Sequence, residues 1–205
     1  IPLLGKTWRI TEVAHKPFPS GRATHGIVEG CLTLRREQQL ESDAIRRVRA
    51  AVPPLTNHLV GRVVKAEMDQ NYARLCARFV AARALISGDI VNEDFTLAGR
   101  RDAATLELAH RIDIKSNHNS DPNALSPIQL EIEDTSGSVS KITIDTVYGH
   151  PSKPMNRDAW LAKFRDNWRR SITPLADGAC ERVIERINAL ASLEDAAMIV
   201  EDLVP

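Results

Sequence analysis

The clearest pattern along the chain is alternation. Ile128, Leu130 and Ile132 interleave with Gln129, Glu131 and Glu133, and Ile142, Ile144 and Thr146 resume the period after Thr135-Ser136-Gly137-Ser138. A period of two lines up apolar side chains on one strand face, so these residues predict a β-hairpin with one wet face. Residues 44–51, with Ile45, Val48 and then Val52, read as a strand that Pro53-Pro54 ends. Residues 8–14 read as a short strand closed by Lys16-Pro17-Phe18-Pro19, and residues 58–65 as another. Elsewhere the period is helical. Ile27, Cys31 and Leu34 share a face widened by Val28 and Leu32, predicting a helix over residues 21–38 with Ser20 as N-cap. Leu75, Phe79, Ala82 and Ile86 predict one over 71–86, capped by Asn71 or Asp69 and stopped by Gly88. Residues 102–111 repeat this with Leu106, Ala109 and His110, and the polar stretch 116–126 reads as an exposed loop.

From Asn156 onward only helical stripes occur. Trp160, Phe164 and Trp168 form one and Val183, Ile184, Ile187 and Leu190 another; Ser192-x-x-Asp195 resembles a capping box before Met198, Ile199 and Leu203. The expected architecture is α+β: a two-layer α/β domain with an antiparallel hairpin over residues 1–150, then helices over 151–205. Stripes this wide want a partner, which a helical domain outside the chain would supply.

The 205 residues carry 27 Lys plus Arg against 27 Asp plus Glu, so no basic field favours nucleic acid or an anionic membrane. Charges interrupt every apolar run well short of the ~18 residues that suggest a transmembrane span. Cys31, Cys76 and Cys180 are odd in number and far apart, arguing against a disulfide framework or a zinc site and for a reducing cytoplasm. The chain opens Ile1-Pro2-Leu3 without an initiator Met or a signal-peptide pattern, which suggests a fragment or processed chain with part of its active site elsewhere.

Gly5-Lys6-Thr7 lacks the earlier glycine and following helix of a phosphate loop, and G-x-G-x-x-G, H-E-x-x-H and G-x-S-x-G do not occur. Of the six histidines, no pair has metal-ligand spacing. His118 reads as solvated, and His110 as a boundary residue on an apolar stripe. What remains is the segment from Lys16 to Gly26, Lys-Pro-Phe-Pro-Ser-Gly-Arg-Ala-Thr-His-Gly. It brings Lys16, Arg22, Thr24 and His25 to a stiff bend where a helix begins, a geometry for gripping carboxylates. Cations there oppose the helix dipole, so stability alone does not favour them. His25 changes charge near neutral pH, as proton transfer beside a carboxylate requires. A solvated basic turn over a half-buried His25 is the plainer reading of the same residues.

The segment Lys16-Pro17-Phe18-Pro19 with Arg22-Ala23-Thr24-His25-Gly26 resembles the lysine, proline and histidine motif of the MmgE/PrpD family, which includes 2-methylcitrate dehydratase, cis-aconitate decarboxylase and iminodisuccinate epimerase. Two further segments match in order: residues 73–81 through Gly88, and Gly149-His150-Pro151-Ser152-Lys153-Pro154-Met155 with Lys163-Phe164. Family members are about twice this length, so the resemblance implies the C-terminal portion of a cytoplasmic, cofactor-independent lyase of propionate catabolism. It implies a homodimer whose missing N-terminal helical domain closes the cleft, and small di- or tricarboxylate substrates. Lys16 and His25 match cleft-facing positions with a catalytic role, and Lys16, Arg22 and Thr24 are expected to bind substrate. Dehydration is the first expectation, decarboxylation or epimerisation the second, and a non-catalytic domain gripping an acidic partner the third. Ser20-Gly21 stands where many members have cysteines, and Phe79 where members often have Tyr.

Overall fold

The computed structural model describes residues 4–173 and 175–204. By contacts the chain divides into residues 1–154 and residues 155–205. In the first unit, a 3-10 turn over Arg22–Thr24 leads into α1 (His25–Glu37), and strand β1 (Ile45–Val52) follows. Five helices come next: α2 (Pro54–Val60), α3 (Gln70–Arg74), α4 (Ala77–Ser87), α5 (Leu97–Arg100) and α6 (Ala103–His110). Strands β2 (Ile112–Ser116), β3 (Ile128–Asp134) and β4 (Val139–Ile144) complete the unit.

The strands form one sheet in the order β2-β1-β3-β4. β1 runs parallel to β2 and antiparallel to β3, which pairs with β4 as the expected hairpin. Two layers result. Val48, Ala50 and Val52 of β1, Ile112 and Ile114 of β2, and Ile128, Leu130 and Ile132 of β3 are buried, as are Ile27, Val28, Cys31 and Leu34 of α1 and Phe79, Val80 and Leu85 of α4. Helix α1 packs on β3 and β4 while α4 packs on β2 and on α1. Burying each Ile, Leu or Phe stabilises the fold by roughly 1.5–3 kcal/mol. The opposite sheet face is charged and wet, with Arg49 paired to Glu133 at 3.2 Å and Lys141 to Glu131 at 2.6 Å.

Several local expectations need correction. Residues 8–14 are not a strand: Arg9–Glu12 form a 3-10 turn held by the Arg9–Glu12 ion pair at 2.7 Å, with Trp8 and Ile10 exposed. Among the described residues no strand pairs with them, and alternation without a partner leaves the backbone groups unpaired. Residues 58–60 end helix α2, because Pro54 sits in its first turn with φ preset, and beyond them Gly61 makes only a single bridge to Cys76. The helix expected over 71–86 is broken at Leu75-Cys76 into α3 and α4, with Asp69 Oδ1 accepting from Tyr72 N–H at 2.8 Å as its cap. His110 is exposed. Ser20 does not cap α1; its hydroxyl pairs with that of Thr24.

In the second unit, α7 (Arg157–Arg169) is capped by Asn156, whose Oδ1 accepts from Ala159 N–H at 2.8 Å. Helix α8 (Ala179–Asn188) buries Val183 and Ile184, and α9 (Ala197–Glu201) follows. The capping box expected from Ser192 and Asp195 does not form: Ser192 Oγ donates to Ala189 O, and α9 begins after Ala196. Among the described residues no helix is long and apolar enough to cross a membrane.

Candidate active site

The bend at residues 15–26 is fastened from two sides. His15 N–H donates to Gly149 O at 2.7 Å. Gly149 has φ +86°, and a Cβ there would collide with His15 O and crowd Pro17 Cδ, so only glycine allows this crossing. Lys16 lies between these two contacts, and its side chain is exposed. On the other side, Gly21 N–H donates to the carbonyl of Arg74, at the end of α3, at 2.9 Å. Three stretches far apart in sequence, around Lys16–Gly26, Arg74-Leu75 and Gly149–Lys153, therefore meet at one corner of the first unit.

The predicted site residues part company there. Thr24 is buried; its hydroxyl donates to Gly21 O at 2.8 Å and lies 2.8 Å from Ser20 Oγ. His25 is 0% exposed, its Nε2 is 3.3 Å from Ser20 O, and its ring meets Phe18 edge-on with centroids 5.3 Å apart. A carbonyl only accepts, so Nε2 carries the proton. Buried this way, Thr24 and His25 brace the bend from beneath and present no surface to a ligand. Arg22 lies between the two extremes. It is half-buried, and its Nη1 is covered without a hydrogen-bond partner. Burial pulls the guanidinium below its usual range, and the charge of Glu29 works in the opposite direction. An orphaned buried donor costs about 1–3 kcal/mol, which an incoming anion can recover.

Sequence reasoning did not single out Glu29, and it quoted His150 and Lys153 within a family-matching segment without giving them a role in the site. The Glu29 side chain, 12% exposed, accepts from Tyr148 N–H at 2.7 Å and from Lys153 Nζ, tying α1 to the turn at 149–153. The signal was present: Glu29 is the sole charge in the apolar stretch 26–34. His150 is exposed at the crossing. Its Nδ1 accepts from Ser152 N–H at 3.2 Å, which leaves the ring proton on Nε2. Phe79, where a phenol was expected in the family, is fully buried against Phe95. Among the described residues no cluster of His, Cys, Asp or Glu could hold a metal ion.

A small α+β unit whose bend presents cations beside a glycine crossing matches a known kind of domain. The MmgE/PrpD C-terminal domain model covers residues 18–189, and the chain belongs to this family. It is similar to cis-aconitate decarboxylase of Mus musculus, 27% identical over 197 residues, which covers 92% of this chain and 38% of the relative. It is similar also to the human cis-aconitate decarboxylase, 25% identical over 195 residues, covering 92% and 39%. The chain thus spans about two-fifths of the length of these relatives.

Proposed function

We propose that this chain is the C-terminal portion of a cofactor-independent lyase acting on small di- or tricarboxylates. The observation that carries this reading is the covered, unpartnered Arg22 Nη1 at the same bend as the exposed Lys16. A multiply charged acid leaving water needs fixed cations in place of its hydration, and these two residues supply them. The remaining catalytic groups come, in this proposal, from a helical domain closing over the bend, in a cytoplasmic homodimer.

His25, expected to move the proton, is assigned instead to positioning, since a proton-transfer group has to reach its substrate. His150 is the accessible imidazole at the crossing and takes that role. Two finer reactions share this arrangement. In dehydration, a base removes the proton next to a carboxylate and the β-hydroxyl leaves as water after protonation. In decarboxylation, the bond to a carboxyl carbon breaks, CO2 departs, and an acid protonates the carbon that keeps the electron pair. The names of the two relatives favour decarboxylation over the loss of water from 2-methylcitrate.

The test is to supply the full-length protein with cis-aconitate and with 2-methylcitrate and to identify the products. Lys16→Ala should lower kcat/KM by about 10²-fold or more, the scale of losing one electrostatic donor. His150→Ala should lower kcat by about 10²-fold or more, the scale of losing a proton-transfer group. If neither acid is consumed, or if Lys16→Ala and Arg22→Ala leave turnover intact, the lyase reading fails. Intact turnover with lost binding of an acidic protein would point to an interaction domain.

A further inference from the structure

At the opposite end of the sheet, where β1 and β2 begin, an open depression of about 540 Å³ is lined by Arg46, Arg47, Arg78, Arg111, His110 and Asp113, with Ile112. The arginines come from β1, from α4 and from the turn after α6, so three separate stretches of chain converge on it. We propose that this depression is a second binding site, for a compact, multiply charged oxyanion.

The charges are under-compensated. Arg78 has no carboxylate partner among the described residues; three main-chain carbonyls hold it, Gly61 O at 2.7 Å, Arg62 O at 2.6 Å and Ile112 O at 3.0 Å. Those bonds fix the side chain and leave its full positive charge on the wall. Arg111 Nη1 is pinned to Ile45 O at 2.7 Å, and its Nη2 is paired with Glu107 at 2.5 Å, so the excess charge rests on Arg46, Arg47 and Arg78. Asp113 is shared between Arg47, at a loose 3.6 Å, and Lys115 at 3.3 Å. Glu133 is shared between Arg46 at 3.1 Å and Arg49 at 3.2 Å. Guanidinium forks immobilised in this way lose little freedom on gripping an oxyanion, and they suit phosphate and carboxylate geometry equally. Their convergence on one concavity is what points to a ligand.

The experiment titrates the full-length protein with inorganic pyrophosphate and, separately, with citrate, in a Lys16→Ala background that removes the proposed substrate cation. Wild-type arginines should bind at least one probe, and binding should weaken on adding salt toward 0.15 M, where screening acts over about 8 Å. Arg46→Glu with Arg47→Glu should weaken it at least about tenfold, a change of about 1.4 kcal/mol. These side chains are 67% and 48% exposed, so the double variant keeps its fold, which circular dichroism checks. Arg46→Lys with Arg47→Lys keeps the charge and loses the forks, and should fall between. Preference for pyrophosphate assigns the site to phosphoanions, preference for citrate to carboxylates. If neither probe binds, or if the Glu variants bind unchanged, the proposal is overturned.

Discussion

The unit before residue 155 and the helices after it use their apolar side chains differently. The first unit encloses its large residues: Phe79, Phe95, Leu85, Leu130 and Ile132 are fully buried. The second buries Val183 and Ile184 but leaves Ile187, Leu190, Val200 and Leu203 exposed. A sheet gives helices a broad face to cover, whereas short helices joined end to end cover one another poorly. The contrast teaches that the first unit carries its own core, while the helices after residue 155 present a surface to be covered.

The sharpest way to break this comparison is by truncation in each unit. Phe79→Ala should cost about 3–5 kcal/mol in a denaturant melt, whereas Ile187→Ala, already half in water, should stay within about 0.5 kcal/mol. Equal losses would mean that the second unit is packed as tightly as the first.

A smaller difference separates their ion pairs. Asp94, 2% exposed, accepts from Arg83 Nε at 2.9 Å, and Thr105 takes another donor of the same guanidinium. Asp94→Ala leaves Arg83 only the Thr105 hydroxyl and the looser Asp102 pairing at 3.6 Å, and should cost about 3 kcal/mol. The exposed Arg165–Glu181 pair at 2.7 Å is screened by solvent and should show a far smaller coupling in a double-mutant cycle.

Helix caps come next. Asp102 accepts from the hydroxyl and the N–H of Thr105, and the hydroxyl bond chiefly holds its carboxyl below the usual range. The unfolded carboxyl titrates near 3.9, so the cap contributes fully above that pH and is lost as pH falls through the lower folded value. Asp102→Ala should cost about 1 kcal/mol at neutral pH and much less in acid.

The smallest effect is read by thiol chemistry. Burial pushes Cys31 up to about 12, while Cys180 is half-exposed. Alkylation at pH 8 should reach Cys180 first and Cys31 only on unfolding. Stability should also decline above about pH 8.5, where the unfolded Cys31 thiol ionises and the folded one does not.

Much of the fold was legible because its signals are local. Strands β3 and β4 alternate strictly, with a turn sequence between them, and α1 carries an unbroken stripe. Strand β2 was missed: Ile112 and Ile114 alternate over only five residues, and their pairing is parallel, to Val48 and Ala50 across an intervening run of helices. Residues 8–14 erred the other way, since Trp8 and Ile10 alternate but find no edge to join. At the bend, residue types announced Lys16 and Arg22, but type does not reveal depth. His25 and Lys16 look equally chemical in sequence, and one is sealed under Phe18 while the other stands in water. Glu29 and His150 needed the fold, because the turn that joins them to the bend lies more than a hundred residues away along the chain.

The central position of β1 also bears on how the molecule assembles. Ala50 sits between Ile114 on one side and Leu130 on the other, so β1, made before both of its neighbours, stays unpaired until much of the chain has followed it. The β3–β4 hairpin, by contrast, can close as soon as its turn emerges. Long-range closure of this kind slows folding. A ribosome releasing this chain would hold a bare, arginine-rich ribbon waiting for its template, and the late hairpin is what supplies it.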